Sequence, residues 1–194
     1  KSEQVHGIPL VEIKTELMPF TSTIIKRIFD FTYSILILII LSPLFFVVSI
    51  INLVLYKKIF DVQEKVGKKS RNFKSIKFYS DNKSFGKFLS MLWITELPQL
   101  INVILNRMSL VGPEPESREI VQKLSEEIPY FSRRMKVKPG ITGWAQIKQK
   151  SYYTSVDYKK MLQYDFYYLE NMSLLLDLKI TLNTLILIFS LKGK

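Results

Sequence analysis

The chain has 194 residues, enough for one domain with a modest core. It contains no cysteine and a single histidine, His6, which excludes disulfides, thiolate zinc sites and histidine-based metal clusters. A net charge of +11, from 28 Lys+Arg against 17 Asp+Glu, points to an anionic partner: nucleic acid, anionic lipid head groups or a phosphorylated substrate.

Residues 1–24 are mixed in character and read as a linker and the tail of a preceding module. The chain opens on Lys1, and the expectation is the C-terminal piece of a longer protein. His6, near that start, reads as a solvated residue. From Phe31 to Tyr56 there is no charge. As one straight helix this run would reach ~39 Å, longer than the ~30 Å hydrocarbon core of a bilayer. Ser42 and Pro43 interrupt it midway, where the proline ring removes a backbone donor and clashes with the carbonyl of Ile39. The Ser42 hydroxyl is suited to satisfy part of the freed backbone. Lys26 and Arg27 precede the run, and Lys57 and Lys58 follow it, so the positive-inside rule places both ends in the cytoplasm. A helix-break-helix hairpin over about 28–56 meets both clues. A kinked through-going span is the alternative these residues leave open.

Residues 57–77 carry Lys57, Lys58, Lys65, Lys68, Lys69, Arg71, Lys74 and Lys77 against Asp61 and Glu64. Directly after a membrane segment, this predicts a stripe facing anionic lipid or phosphate, with a solvated face as the plainer reading. Nucleic acid is the weaker alternative, because the apolar hairpin already fixes the protein at a bilayer. Residues 85–110 predict a helix with Thr95 as N-cap and Pro98 in its first turn. Pro113 and Pro115 then fix a rigid turn, and a helix is expected over Glu116–Glu127. Gly140 and Gly143 permit tight turns near Trp144. Residues 155–171 are helical and aromatic-rich. The last apolar stretch carries Asp177, Lys179 and Asn183, which favours a helix lying in the interface over a second span.

The strings KRIFDF and SPL, ELPQLINVI, MSLVGPEPE, RRMKVKPGITGWAQI and YDFYYLENMSLLLDLKITLNT, in this order, resemble the bacterial sugar transferases. These are monotopic phosphoglycosyl transferases, or polyprenyl-phosphate hexose-1-phosphate transferases. The likeness runs from about Ile24 to the end, giving a domain over 25–194 resembling the catalytic domain of the long members. It implies an α/β monotopic membrane fold with a re-entrant helix broken at Ser42-Pro43 and amphipathic helices in the interface. It implies a place on the cytoplasmic face of the bacterial inner membrane, in polysaccharide or glycoconjugate assembly. The implied reaction takes a UDP-sugar and releases UMP. An Asp of an Asp-Glu pair attacks the phosphate, polyprenyl phosphate resolves the phosphosugar-enzyme, and Mg²⁺ assists. A carboxylate suits that role because it is ionised at pH 7 and needs no base to attack phosphorus. Arginines and the metal neutralise the developing charge.

Several positions depart from the family pattern. Its Asp-Glu-Leu-Pro-Gln string reads Thr95-Glu96-Leu97-Pro98-Gln99, so Thr95 stands at the nucleophile position and Glu96 is retained. A threonine hydroxyl needs a base, and no histidine is available. The Pro-Arg-Pro turn reads Pro113-Glu114-Pro115, exchanging a phosphate-facing Arg for Glu114. At ~4 Å and an effective dielectric of about 20, one charge pair is worth roughly 4 kcal/mol. Lys77-Phe78-Tyr79 replaces Lys-Phe-Arg, and Lys148-Gln149-Lys150 replaces Asn-Gly-Arg. Lys77, Arg133, Arg134 and Lys138 remain as phosphate-binding candidates, and Glu96 as the candidate Mg²⁺ ligand. Two functional readings follow. One is a catalytically impaired member that binds membrane lipids and associates with itself or with an active relative, with no nucleic-acid role. The other is an active transferase that binds UDP-sugar and polyprenyl phosphate and uses Glu96 or altered chemistry.

Overall fold

The charge-free run folds as two helices, α1 (Phe20–Ile40) and α2 (Ser42–Tyr56), in a computed structural model that describes residues 4–5, 8–9, 18–81, 84–149 and 155–190. Their axes meet at 65°, and among the described residues no single helix is long and apolar enough to cross a membrane. The break falls at Leu41, so Ser42 and Pro43 open the second helix, where a missing N–H is harmless. Ser42 Oγ donates to the Ile39 carbonyl at 2.8 Å, the acceptor that Pro43 cannot serve. His6, Lys150 and most of the 1–24 segment lie outside the described residues. Within that segment, β1 (Gln4–Val5) and β2 (Ile8–Pro9) pair antiparallel, and residues 20–24, expected in the linker, are helical.

The lower half of α1 is bound into the body by its polar side chains. Arg27 Nη1 and Nη2 donate to the carbonyls of Val103 (2.6 Å) and Ile104 (2.9 Å), occupying the open C-terminal carbonyls of α4 (Gln99–Ile104). Lys26 Nζ lies 2.6 Å from Asp177 Oδ2. Asp30 accepts from Ser109 Oγ at 2.7 Å and from the Leu110 N–H at 3.2 Å. Lys26 and Arg27, expected only as flanking charges, are therefore also structural partners. Beyond Asp30, α1 runs about 11 residues to the bend, a reach of ~17 Å. The returning helix meets the body at once: the Phe45 ring lies 4.7 Å from Phe78 and 6.0 Å from Phe60.

The basic segment forms a hairpin of β3 (Phe60–Val66) and β4 (Asn72–Phe78), paired antiparallel in the register Asp61↔Lys77, Gln63↔Ser75, Lys65↔Phe73. Successive strand residues point to opposite faces. Lys65 and Lys77 share a face with Ser75, whereas Lys74 lies on the other. The basic residues expected as a stripe facing anionic lipid or phosphate are thus divided, within the strands, between two faces of the hairpin.

The expected helix over 85–110 is split. α3 (Ser84–Met91) ends before Trp93, which adopts a left-handed φ of 58°. A 3₁₀ turn over Ile94–Glu96 follows, and α4 starts only at Gln99. Thr95 is therefore buried inside the turn and does not act as an N-cap. The cause is the ladder of i→i+3 bonds from Glu96, Leu97, Leu100 and Ile101, which tightens the backbone ahead of the α-helix.

After α4, β5 (Ser109–Val111) pairs parallel with β6 (Gly140–Thr142). The connection holds the Pro113–Glu116 turn, α5 (Arg118–Glu127) and a 3₁₀ segment over Phe131–Lys136. Ser117 caps α5, accepting from the Ile120 N–H, so the helix begins two residues later than expected. Gly112 and Gly140 sit back to back: a Cβ on Gly140 would lie 2.1 Å from the Gly112 nitrogen. Only glycine permits this approach. α6 (Trp144–Lys148), α7 (Ser155–Glu170) and α8 (Leu174–Phe189) complete the body. Phe131, Leu124, Met161 and Leu162 form one core; Tyr168, Leu169, Ile180, Val111 and Val137 form a second. The outer face of α8 leaves Leu175, Leu178, Leu182 and Ile186 exposed, as α2 does Phe46, Val47, Ile50 and Val54.

Candidate functional site

Two small adjoining cavities flank the Pro113–Glu116 turn. The backbone holds the turn at both ends: the Gly140 N–H donates to the Pro113 carbonyl and the Val66 N–H to that of Glu116, each at 2.9 Å. Glu114 is thus carried between β6 and β3 on a fixed frame. The first cavity is lined by Lys65, Ser75, Lys77, Glu96, Gln99, Glu114 and Glu116, the second by Glu114, Glu116, Arg134 and Met135 among others.

Glu96 is the most constrained group. Lys77 Nζ lies 2.8 Å from its Oε1, and Gln99 Nε2 donates to its Oε2. β4 supplies the lysine and the first turn of α4 supplies the amide. Both oxygens of Glu96 are therefore engaged. Among the described residues no group of three or more His, Cys, Asp or Glu side chains stands close enough to hold a metal. This donor set does not fit a protein-built magnesium centre. Burial, with repulsion from Glu114, leaves the Glu116 carboxyl above its usual range despite Arg134 and Lys65 nearby.

Of the expected phosphate-binding residues, Lys77 and Glu114 meet Glu96 in the first cavity, and Arg134 stands at the second. Arg134 Nη2 donates to the Glu114 carbonyl at 2.9 Å, and its Nε lies 2.9 Å from Asp165 Oδ2 in a fully buried pair without the alignment of a hydrogen bond. Burial outweighs the attraction of Arg134 and raises Asp165 to about 6. Arg133 turns away: it lies 3.9 Å from Glu170 and 5.5 Å over the Phe166 ring. Lys138 is directed to Asn106, and burial lowers its pKa. These two residues do not join the cavity.

Sequence reasoning missed Lys65, Ser75, Gln99 and Glu116 as lining residues, and Asp165 as the partner of Arg134. Strand spacing alone did not reveal the first two, because only the register Lys65↔Phe73 and Gln63↔Ser75 sets Lys65, Ser75 and Lys77 on one face of the hairpin. Nothing local marks Asp165, which lies 31 positions along the chain from its arginine.

The sequence model of a family described as bacterial sugar transferase matches residues 21–191. Among curated proteins, the chain is 34% identical over 180 residues to UDP-N-acetylgalactosamine-undecaprenyl-phosphate N-acetylgalactosaminephosphotransferase of Aeromonas hydrophila, covering 83% of this chain and 43% of that one. It is 34% identical over 174 residues to the uncharacterized sugar transferase EpsL of Bacillus subtilis, covering 81% and 83%. It is 32% identical over 201 residues to UDP-glucose:undecaprenyl-phosphate glucose-1-phosphate transferase of Klebsiella pneumoniae, covering 93% and 43%. The chain thus spans less than half the length of the first and third of these relatives.

Proposed function

The chain belongs to the bacterial sugar transferase family, and on that premise we propose that it is a membrane-bound member of a polysaccharide-assembly system whose own sugar-phosphate transfer is impaired. The names of its relatives give the substrate class: a UDP-sugar and undecaprenyl phosphate. The observation that carries the proposal is the pair of exchanges at Thr95, buried beside Glu96, and at Glu114, in the wall of the first cavity. Thr95 stands where the family has its attacking carboxylate, and Glu114 lines the cavity where the family has an arginine. Thr95 must lose a proton to attack phosphorus, and its neighbour Glu96 is already held by Lys77 and Gln99. Glu114 puts a negative charge where the resemblance implies a phosphate-facing arginine, opposing a diphosphate held there by a few kcal/mol.

Membrane attachment rests on the exposed apolar faces of α1, α2 and α8. A reach of ~17 Å beyond Asp30 is about half of the ~30 Å hydrocarbon core, which supports a re-entrant hairpin over a span. The Lys and Arg residues that flank the hairpin on both sides support a body on the cytoplasmic face of the inner membrane. Association with itself or with an intact relative is the partnership proposed for an impaired member, and co-purification from the native membrane tests it.

A second reading, an active transferase with Glu96 as nucleophile, draws support from the position of Glu96 at the cavity wall. UMP release decides between them. The protein, given a panel of UDP-sugars, undecaprenyl phosphate and Mg²⁺, should release no UMP above background. Loss of a nucleophile in a protease costs ~10⁶ in rate, and a comparable loss is expected here. Thr95→Asp alone should restore little, because Glu114 remains; Thr95→Asp with Glu114→Arg is the smallest change expected to regain turnover. Robust UMP release by the unaltered protein, abolished by Glu96→Ala, would establish the second reading.

A further inference from the structure

Trp144 collects two ammonium groups on one ring. Lys148 Nζ lies 4.8 Å and Lys179 Nζ 5.7 Å from its centroid. Lys148 comes from the last turn of α6, four residues beyond Trp144 and on the same side of that helix. Lys179 comes from α8, which packs beside α6. Tyr167 of α7 stacks on the same indole at 5.4 Å, with the ring planes 25° apart, so three helices fix the platform. Among the described residues no carboxylate forms an ion pair with either lysine. Asp177, two residues before Lys179, is already held by Lys26 and Tyr168, and Glu170 lies by Arg133. Two like charges gathered without a counter-charge suit an anion.

The surroundings restrict which anion. Both lysines are exposed. Lys179 stands within the exposed apolar stripe of α8, four residues after Leu175 and three before Leu182, with Leu178 and Ile186 alongside. An ammonium in such a stripe does not enter hydrocarbon; its stem lies along the apolar surface while the charge reaches for the head-group level. Trp144 marks that level, since tryptophan favours the boundary between membrane and water. A soluble anion would answer the two charges and leave the stripe in water. An anionic phospholipid answers both, with its phosphate at the lysines and its chains against the leucines.

We propose that Lys148 and Lys179, gathered on Trp144, form a seat for the head-group phosphate of an anionic phospholipid whose acyl chains meet the exposed leucines of α8. Both ammonium groups donate to the phosphate oxygens in charge-assisted hydrogen bonds. Lys148 belongs to the Lys148-Gln149-Lys150 string that stands in place of Asn-Gly-Arg, so half of the seat departs from the family pattern. The seat rests on the membrane attachment proposed above, and its failure and that of the attachment are separately visible in the test.

Tryptophan fluorescence of the full chain in nanodiscs provides the test, with bromine on the acyl chains of one lipid as a contact quencher. Trp93, the other tryptophan, is 7% exposed, and Trp144→Phe measures its share for subtraction. In phosphatidylcholine containing about a tenth phosphatidylglycerol, brominated phosphatidylglycerol should quench Trp144 about tenfold more per lipid than brominated phosphatidylcholine does, as for two lysines at an anionic surface. Lys148→Gln with Lys179→Gln should bring the two lipids level. Lys148→Arg with Lys179→Arg should keep the preference, as should Lys159→Gln with Lys160→Gln, an equal loss of charge on α7. The ratio of the two lipids within each variant cancels changes in tryptophan brightness, and thermal melts confirm folding. Equal quenching by both lipids in the unaltered protein, or a preference that survives the Lys148 and Lys179 glutamine pair, would overturn the seat and leave membrane attachment in place. Loss of the preference on adding inorganic phosphate, at ionic strength matched with chloride, would also overturn it, assigning the lysines to a soluble anion. Quenching by neither lipid would overturn the seat and the attachment of α8 together.

Discussion

Glu96 illustrates how one side chain can be essential to the body and constrained in its chemistry. It is buried, with its charge opposed by Lys77 across 2.8 Å. Lys77→Met should destabilise the protein by about 2–3 kcal/mol, below the range for fully buried pairs because Lys77 is partly exposed. Lys77→Met combined with Glu96→Gln should recover much of that loss in urea unfolding, a coupling that a double-mutant cycle isolates. Asp165 gives a pH signature. Its folded pKa of about 6 lies above the unfolded value near 4, so the native state holds this proton more tightly. Its contribution to stability is fully present below pH ~4 and is lost as pH rises through about 6. Asp177 and Glu116, both raised mainly by burial, act in the same direction. Unfolding midpoints measured from pH 4 to pH 7 should show this component falling with pH, and Asp165→Asn should remove the largest part of that slope. At this scale the ordered motifs singled out Thr95, Glu96, Lys77 and Glu114, and the fold brings Lys77, Glu96 and Glu114 to one cavity. It did not separate Arg134 from Arg133, since neighbours on a 3₁₀ turn face different surroundings and only the fold supplies Asp165 to one and Glu170 to the other.

Among the elements, the α1–α2 pair was the most legible and the segment after it the least. A long charge-free run broken by Ser42-Pro43 identifies itself by composition. The β3–β4 hairpin did not, because its lysines fall on both faces and hide the alternation that marks a strand. The stop of α3 was equally silent: Trp93 takes the left-handed conformation with no glycine or proline to announce it. The absence of native cysteine makes the hairpin directly testable. Cysteines at Thr23 and Lys58, both exposed, should be protected together from a thiol reagent applied to the periplasm; labelling of only one would mean a through-going span. Arg27 joins this element to α4. Arg27→Met removes two bonds to helix-end carbonyls and should cost about 1.5–3 kcal/mol, read as a lowered unfolding midpoint.

For the molecule as a whole, the +11 charge is distributed by the fold into different tasks. Lys57, Lys68, Lys69 and Lys74 are exposed, whereas Lys65 and Lys77 line the cavity. Changing the first four to glutamine should weaken binding to anionic liposomes by about 1 kcal/mol for each lysine that reaches the surface. Binding to neutral liposomes, which depends on the apolar faces, should be unchanged. Equal binding of the variant to anionic liposomes would assign those lysines to solvent. The contact between Lys26 and Asp177 bears on a different matter, the order in which the chain is made. These residues stand 151 positions apart. At a synthesis rate of about 5–20 residues per second, the hairpin has left the ribosome roughly 8–30 s before the partner of Lys26 exists. During that interval Asp30 can gain Ser109 and Leu110 once β5 is made, but Lys26 lacks its second carboxylate, at the mouth of an apolar helix pair. A nascent chain arrested before α8 should therefore be held by chaperones or degraded by membrane proteases, while one released after Asp177 can close the latch and escape them.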